Sequence, residues 1–283
     1  MTETPELRVL TRAEIEAAVA WAGREGWNPG QSDAQCFAAQ DPQGFFGAFL
    51  DGQMVACISV VTYGEAFAFL GFYIVAPEHR GQGIGFALWQ FALEHAGHRT
   101  VGLDGVVDQQ ENYRRSGFDL AWRNIRFGGV PVTGMKASDD FTLTWLDGLT
   151  SDVAWLDSRV FPAARPTFWQ EWLSAPGHVS IAAYDEGQIC AFGTLRRCES
   201  GGKIGPLVAT SRAAAVAVLG GLLRDWPAGE EVFLDVPEPN SAAVELARDL
   251  GLSPVFETAR MYRGRKPEVA RDLIFGVTTF ELG

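Results

Sequence analysis

The residues Arg80-Gly81-Gln82-Gly83-Ile84-Gly85 have the composition of an anion-binding loop. An apolar, strand-like run ends at Val75 before them, and a helical pattern begins directly after them. Peptide N–H groups without neighbouring side chains can approach a phosphate closely, and the N-terminus of the following helix adds partial positive charge. The spacing therefore predicts a loop that binds a pyrophosphate.

Two better-known phosphate motifs do not fit this loop. A P-loop requires a lysine and a hydroxyl residue after its last glycine, and the sequence has neither there. A dinucleotide fingerprint requires its third glycine three residues after the second, but Gly85 comes two residues after Gly83. We therefore do not expect a P-loop NTPase, and an oxidoreductase that uses NAD(P) is a minor alternative that a titration with the dinucleotide would test.

Composition argues against several other kinds of site. The 283 residues carry a formal net charge of −12, which disfavours general binding to nucleic acid or to an anionic membrane and mildly favours a cationic or amine partner. No apolar stretch approaches the ~20 residues of a membrane span, and the N-terminus lacks a secretion-signal pattern, so we expect a cytoplasmic protein. The four cysteines and four histidines lack the spacing of metal ligands, so no metal is expected.

The elements that position the loop occur twice along the chain. Gly52-Gln53 and Gly187-Gln188 each lead from a turn into a strand, 135 positions apart, and other paired segments keep nearly the same offset. A period of domain size indicates two copies of one fold rather than a solenoid. We place the boundary in the polar segment Val132–Asp140, which predicts an N-terminal domain at residues 1–133 and a C-terminal domain at 141–283.

Each copy is predicted to begin with helices, continue with an antiparallel meander and end with a parallel strand–helix–strand crossover. In the first copy, Thr11 and Glu14 form a capping box for the first helix. The other predicted elements are a short helix at 32–40, strands at 45–50, 54–62 and 67–75, a helix at 83–95, a strand at 101–107, a short helix at 109–116 and strands to about 127. The predicted fold class is α/β, with a mixed antiparallel and parallel sheet flanked by helices in each of two tandem domains.

Together, the glycine loop and the segments that flank it resemble those of the GNAT acetyltransferases, a family that binds acetyl-CoA. The glycine loop is preceded by the strand FLGFYIV and followed by YRRSGF, in the order found in that family. The whole chain, including the segment DLIFGVTTFELG, is similar to a tandem subgroup of the family. The resemblance implies two tandem GNAT-like domains and an N-acetyltransferase that moves an acetyl group from acetyl-CoA to a primary amine, with Arg80–Gly85 binding the diphosphate. The sequence does not choose between a small-molecule amine and a peptide amine as the acceptor.

The resemblance also assigns further contacts to the cosubstrate. Backbone groups of Tyr73, Ile74 and Val75, at the end of the strand before the loop, would hydrogen-bond the pantetheine arm as a neighbouring strand does. Asn112 would add another contact with coenzyme A. Gly71, inside the same strand, either marks the bulge that separates it from the next parallel strand or makes room for a packed aromatic ring.

The same resemblance gives Tyr113 the role of general acid. It lies four residues before the pair Gly117-Phe118, where a family tyrosine protonates the departing coenzyme A thiolate. A phenol pKa of about 10 and a thiol pKa of about 8.5 make this transfer feasible, although Tyr113 could instead only pack its helix. The general base is open between Asp104 on the neighbouring strand, which we take as the candidate residue, Glu65 at the start of the strand before the loop, and a water relay.

The loop between the first two helices is expected to shape the acceptor pocket, as it does in the family. Its sequence offers Trp27, Asn28 and Asp33 as substrate contacts. Trp27 could equally close the edge of the domain, and Asn28-Pro29-Gly30 could simply form a turn.

The second copy lacks the residues that carry the chemistry in the first. Aligning the copies through their strand ends places Val216 and Val218 where Gly83 and Gly85 stand, and branched side chains would block the approach to a pyrophosphate. Ala247 occupies the position of the tyrosine. We therefore predict a single active site in the N-terminal half, and a degenerate C-terminal half that covers the cleft or only stabilises its partner. A non-catalytic acyl-CoA-binding regulatory protein is the alternative function.

Overall fold

The computed structural model describes residues 4–132 and 140–283. The linker predicted at Val132–Asp140 therefore lies almost entirely outside the described residues, and the division of the chain into 1–133 and 141–283 stays a prediction. No helix in the two described ranges is long and apolar enough to cross a membrane.

The first half contains the elements that the sequence predicts, with one additional strand at its start. In chain order they are β1 (Glu6–Val9), α1 (Arg12–Arg24), α2 (Asp33–Gln40), β2 (Phe45–Leu50), β3 (Gln53–Tyr63), β4 (Phe67–Val75), α3 (Ile84–Ala96), β5 (Thr100–Val106), α4 (Gln110–Arg115) and β6 (Asp119–Gly129). The capping box is confirmed, because the Thr11 side chain accepts from the Glu14 N–H and the Glu14 carboxylate accepts from the Thr11 N–H at 2.7 Å.

The second half repeats this order and adds a short strand near its end. Its elements are β7 (Thr142–Trp145), α5 (Ser151–Val160), α6 (Pro166–Ser174), β8 (His178–Asp185), β9 (Gln188–Arg197), β10 (Gly202–Ala209), α7 (Arg212–Leu222), β11 (Val232–Pro237), α8 (Ser241–Asp249), β12 (Ser253–Arg263) and β13 (Ile274–Gly276). Helices, meander and crossover thus occur twice, and the predicted mixed α/β class is confirmed.

The two halves share one continuous sheet because their last long strands are interleaved. β12 lies between β5 and β6 and pairs antiparallel with both. β6 in turn pairs antiparallel with β11 of the second half. The order across the sheet is β1-β2-β3-β4-β5-β12-β6-β11-β10-β9-β8-β7. The sheet of the first half is therefore completed by a strand from the second, an exchange that the local sequence pattern does not predict.

A cleft opens in the first half where β4 and β5 separate. These strands pair in parallel only from Phe67 to Leu70 of β4. Two residues further on, Phe72 has a φ of 50°, and the pairing of β3 with β4 shifts register at this point. A left-handed residue beside a register shift is typical of a β-bulge. The bulge therefore lies at Phe72, one residue beyond the glycine that the sequence suggested for it.

Gly71 instead makes room for residues 277–283, here called the C-terminal tail. A Cβ atom at Gly71 would lie 2.3 Å from the main-chain oxygen of Glu281. Tyr63 holds the tail in this place, since its hydroxyl donates to the Leu282 carbonyl at 3.1 Å. The C-terminal tail thus forms part of the wall of the first half's cleft.

The corresponding cleft of the second half is filled. β10 and β11 also pair in parallel over a short stretch only, from Gly202 to Ile204 of β10. β13 then pairs with β10 at Leu207 and Val208 and packs against β11. Within residues 4–132 and 140–283, the cleft that stays open is therefore that of the first half.

Three buried ion pairs connect the two halves. They are Asp33–Arg196, Asp104–Arg260 and Arg126–Asp235. Their nitrogen–oxygen distances lie between 2.6 and 3.0 Å, and no side chain in them is more than 9% exposed. Because a buried charge is tolerated only when it is paired, these contacts fix the exchanged strand and the α1–α2 loop in position.

Candidate active site

The separated strands of the first half open into a cavity of about 560 Å³. The first half contributes the end of β4, the glycine loop, the end of β5 and one side chain of α4. The second half contributes residues of β12 and of the C-terminal tail. The cavity therefore depends on the strand exchange and not on the first half alone.

The glycine loop presents bare backbone to this cavity. Gly81 and Gly83 have φ angles of 75° and 83°, which L side chains rarely adopt, and a Cβ at either would meet no atom within 4 Å. Gly83 is the N-cap of α3 and supplies no side-chain hydrogen bond to the helix N-terminus. The first N–H groups of α3 are therefore not capped by that residue and can bind an anion.

Other members of the loop have structural tasks. A Cβ at Gly85 would lie 2.7 Å from the Tyr73 hydroxyl oxygen, so glycine at this position lets α3 pack closely against β4. Ile84 is buried in the core. Gln82 is exposed, and its side chain donates to a main-chain carbonyl four residues earlier at 2.9 Å. Neither Gln82 nor Ile84 lines the cavity.

Arg80 lines the cavity and connects the loop to α1. Its Nε donates to the Val75 carbonyl at 2.9 Å, and its Nη2 donates to the Glu25 carboxylate at 2.8 Å. Both side chains of this ion pair are partly exposed, at 52% and 36%. Because exposed ion pairs typically contribute only about 0–1 kcal/mol, the guanidinium can turn to a bound anion at little cost.

Tyr113, on α4, forms another part of the cavity wall. It is 8% exposed, stacks on Trp89 with ring centroids 5.7 Å apart, and covers Gly105 of β5. Burial, with a smaller contribution from Tyr73, raises the pKa of Tyr113 to about 12. The phenol therefore keeps its proton at neutral pH and is a hydrogen-bond donor at the cavity.

The other residues assigned to coenzyme A divide between the cavity and the surface. Tyr73, Ile74 and Val75 all line the cavity, beyond the point where β4 leaves β5. Asn112 does not line it, and its side chain donates to the Gln109 side chain at 2.6 Å on the exposed face of α4. The role of Asn112 in cosubstrate binding stays a prediction.

Asp104 lines the cavity, but its carboxylate is committed to a buried ion pair. It accepts from Nε and Nη2 of Arg260 at 2.8 and 2.6 Å and from the Asn124 side chain at 2.8 Å. Burial raises the pKa of Asp104, and the Arg260 guanidinium opposes that effect. To act as general base, this carboxylate would have to give up Arg260. The other candidate, Glu65, is 91% exposed and does not line the cavity.

The three residues predicted to contact the acceptor have different surroundings. Trp27 is half-buried and lines the cavity. Asn28 pairs with the main chain of Ser200, accepting at 3.0 Å and donating at 2.8 Å. Asp33 is buried, and it accepts from Arg196 and from the Gly30 N–H. Asn28 and Asp33 do not line the cavity and instead clamp the α1–α2 loop to the second half.

The residues that the second half contributes to the cavity are not predicted by the sequence. These are Phe256 and Thr258 of β12 and Phe280 and Glu281 of the tail. In the part of the chain that the structure describes, Glu281 Oε2 and Thr258 Oγ1 are buried without a hydrogen-bond partner. The signal available in the sequence was Glu281 itself, an acidic residue flanked by Phe280 and Leu282.

The second half has a much shorter connection where the first has its glycine loop. Two residues separate β10 from α7, whereas eight separate β4 from α3. Ser211 caps α7 by accepting the Ala214 N–H at 3.2 Å. The alignment that sets Val216 and Val218 against the loop glycines is wrong, because both valines lie inside α7 and the loop is shortened rather than substituted. Ala247 is buried in α8.

Models of known protein families match both halves of the chain. A model described as the acetyltransferase (GNAT) family matches residues 12–118, and one described as an acetyltransferase (GNAT) domain matches residues 153–276. Holothin acyltransferase from a Pseudoalteromonas species is 31% identical to this chain over 264 residues. That match covers 93% of this chain and 89% of the relative, so the similarity extends through both halves.

Solved structures share the two-copy architecture. The structure of a candidate acetyltransferase from Pyrococcus horikoshii matches with a TM-score of 0.83 at 21% identity and covers 100% of this chain and 97% of that one. A tandem GNAT protein from the clavulanic acid biosynthesis pathway matches with a TM-score of 0.63 at 17% identity, over 93% of this chain and 99% of that one. At these sequence identities, the structural similarity establishes the fold alone.

Proposed function

Because this chain belongs to the GNAT acetyltransferase family, we propose that it transfers an acetyl group from acetyl-CoA to a primary amine. The observation that supports this most strongly is the open glycine cradle at Gly81 and Gly83, which lines the same cavity as the Tyr113 side chain. The proposed diphosphate site and the proposed proton donor therefore lie in one cavity. We propose a single active site in the N-terminal half, with the C-terminal half completing its wall.

The residues of the cradle fit the diphosphate of coenzyme A. Positions 81 and 83 leave open space where side chains would stand, and the N-terminus of α3 adds uncapped N–H groups and the positive end of the helix dipole. Arg80 supplies a guanidinium that its exposed pair with Glu25 holds only weakly. Bound there, acetyl-CoA supplies the thioester carbonyl that the amine attacks.

The strand end beyond the Phe72 bulge is proposed to hold the thioester arm. Since β4 stops pairing with β5 after Leu70, main-chain groups from Tyr73 to Val75 that face the cleft are available to a ligand, apart from the Val75 carbonyl that accepts from Arg80. N–H groups near Ile74 would stabilise the negative charge that develops on the carbonyl oxygen.

Tyr113 is proposed to donate its proton to the leaving thiolate. A thiol in water has a pKa of about 8.5, so transfer from a phenol whose pKa is raised to about 12 would be unfavourable if the sulfur were solvated. Burial shifts a thiol in the same direction, however, and raises the pKa of Cys57 in this protein to about 12. The pKa of a thiol that leaves inside the cavity is therefore expected to be close to that of the buried phenol.

Thiol release from acetyl-CoA, followed across a panel of amines, tests the proposed function. The relative at 31% identity is named for holothin, so holothin is the first acceptor to include. Tyr113→Phe is expected to lower kcat by about 10²–10⁴-fold. The affinity for acetyl-CoA should change little, because the variant keeps the ring that stacks on Trp89.

Tyr184→Phe is the matched control, since Tyr184 lies on β8 outside the cavity. An unchanged kcat in Tyr113→Phe would remove Tyr113 from the mechanism. Tight binding of acetyl-CoA without thiol release in the presence of any amine would favour the non-catalytic acyl-CoA sensor instead.

A further inference from the structure

One part of the cavity wall is formed by Trp27, Phe256, Thr258, Phe280 and Glu281, and is here called the acceptor compartment. It is built from the α1–α2 loop, the exchanged strand β12 and the C-terminal tail. None of the contacts proposed for the cosubstrate uses these residues. Their chemistry therefore bears on the molecule that receives the acetyl group.

Two polar atoms of the acceptor compartment are buried without a partner among the residues described: Glu281 Oε2 and Thr258 Oγ1. Their residues are 5% and 2% exposed. Such groups are rare in folded proteins, because each has lost its hydrogen bonds to water. A carboxylate oxygen only accepts hydrogen bonds, whereas a hydroxyl can donate or accept. A ligand that satisfies both brings an N–H or O–H donor and a second polar group.

Glu281 is positioned by the fold and faces charges of opposite sign. Its main-chain oxygen fits against Gly71, next to the bulge beside which the thioester arm is proposed to lie. Its carboxylate acts to raise the pKa of three buried cations, Arg126, Arg196 and Lys203. Arg126 is paired with Asp235, and Lys203 donates to main-chain oxygens. Arg196 is paired with Asp33 through Nε, whereas its Nη2 is buried without a hydrogen-bond partner and donates no hydrogen bond to Glu281. Oε2 is left for a ligand.

The remaining walls of the compartment are aromatic. The Phe280 ring is supported by Arg126, whose guanidinium carbon lies 4.8 Å from the ring centroid. The centroid of the Phe280 ring is 6.4 Å from that of Phe256, and Trp27 adds a third ring to the wall. Pockets lined by aromatic rings with a few placed polar groups favour flat, apolar ligands.

The charges of the wall do not suit a linear polyamine. Several ammonium groups would need several free carboxylates, but Asp104 is paired with Arg260 and Glu25 with Arg80. Among the acidic residues that line the cavity, Glu281 is the one with a buried carboxylate oxygen that has no partner in the described structure.

We infer that the acceptor is a small primary amine with a flat, apolar body, whose nitrogen donates to Glu281 and whose second polar group pairs with Thr258. This inference rests on the proposed function. In the transfer, a C–N bond forms to the acetyl carbon and the C–S bond breaks. The nitrogen loses a proton to Glu281, and the leaving sulfur takes the proton of Tyr113. Water returns the proton from Glu281 to Tyr113 between turnovers.

A panel of defined amines tests the inferred class of acceptor. Tyramine and tryptamine represent small flat amines, putrescine and spermidine represent linear polyamines, and trialanine represents a peptide N-terminus. We expect kcat/KM and calorimetric affinity for the flat amines to exceed those for both other classes by about tenfold or more.

Two outcomes of the panel overturn the inference and leave the proposed function standing: a higher kcat/KM for a polyamine or for trialanine, or turnover of these amines without binding of either flat amine at millimolar concentration. Binding of the flat amines without thiol release has the opposite meaning. It supports the inferred ligand class of the acceptor compartment and contradicts the proposed acetyl transfer.

Thr258→Val tests the second polar contact. Valine keeps the shape of threonine and lacks the hydroxyl, so we expect the affinity for tyramine to fall about tenfold. The affinity for 2-phenylethylamine, which lacks the phenolic hydroxyl, should change little. An equal change for both amines, or no change for tyramine, contradicts the contact. Val255→Ala is the control, because Val255 is an exposed neighbour on β12 that does not line the cavity.

Glu281→Gln tests the proton acceptor. The variant should lower kcat with tyramine by about 10²-fold or more and leave KM for acetyl-CoA nearly unchanged. Glu281→Asp, which keeps a carboxylate, should recover part of the loss. A wild-type kcat in Glu281→Gln, or equal losses in both variants, overturns the role. Glu268→Gln, an exposed glutamate outside the cavity, is the control.

Discussion

Replacing Gly105 by alanine tests how strongly activity depends on the position of Tyr113. A Cβ at Gly105 would lie 2.1 Å from Cε2 and 2.7 Å from Cδ2 of the tyrosine ring. Carbon atoms in contact are normally about 3.5–4.0 Å apart, so the ring has to retreat by about 1.5 Å. Stacking on Trp89 restricts this movement, and the hydroxyl is displaced with the ring.

We expect a displacement of this size to lower kcat by about 10²-fold, because a misplacement of about 1 Å can reduce a rate by that factor. The free energy of unfolding should fall by about 1–3 kcal/mol, the usual effect of overpacking a core. Most single domains are more stable than this, so the variant should still fold.

Thiol release at saturating acetyl-CoA and amine measures kcat, and denaturant unfolding measures the stability. Gly148→Ala is the matched control, because a Cβ at Gly148 meets no atom within 4 Å. A kcat for Gly105→Ala within about threefold of wild type would refute the reasoning, since the reacting proton would then not depend on the ring's position.

Three further predictions concern the loop, the second half and a buried ion pair. Gly83→Val puts a branched residue at a φ of 83° and covers the cradle, so calorimetry should find the affinity for acetyl-CoA lowered about tenfold or more. Adding Ala247→Tyr to Tyr113→Phe should not restore thiol release, because β13 fills the second cleft; any recovery contradicts this view. Burial alone would raise the pKa of Asp235, but Arg126 holds it below its ordinary value. The pair therefore stabilises the fold above about pH 4 and loses its contribution as the pH falls through the lowered pKa. Asp235→Asn should reduce the free energy of unfolding by about 3–5 kcal/mol at neutral pH, and denaturant titrations should show the difference closing in acid.

The parts of the fold that local residues specify could be predicted from the sequence. The capping box at Thr11 and Glu14 is contained within four residues, and the structure has it as expected. The open conformations of Gly81 and Gly83 occur where alternating glycines precede a helical pattern, so the loop could be located without knowledge of its neighbours. Strand ends from 45 to 75 were also found to within one residue, because each strand is bounded by turn residues.

Features that depend on distant parts of the chain could not be predicted. β6 and β12 end equivalent repeats, and their own residues do not specify which strands lie beside them. Asn28 and Asp33 are polar residues near the α1–α2 connection, and the sequence therefore predicts substrate contacts for them. Their partners, however, are 172 and 163 positions away, so local sequence patterns do not reveal them. The same holds for Glu281, whose place in the cleft depends on the path of the tail.

Binding of acetyl-CoA to the wild-type chain and to two variants tests the central claim most directly. Calorimetry should give one molecule per chain, and a crystal structure of the complex should place the diphosphate at Gly81–Gly85. Gly83→Val should weaken this binding, whereas Ser211→Ala at the cap of α7 should leave it unchanged. Two molecules per chain, or a diphosphate at the N-terminus of α7, would contradict the account.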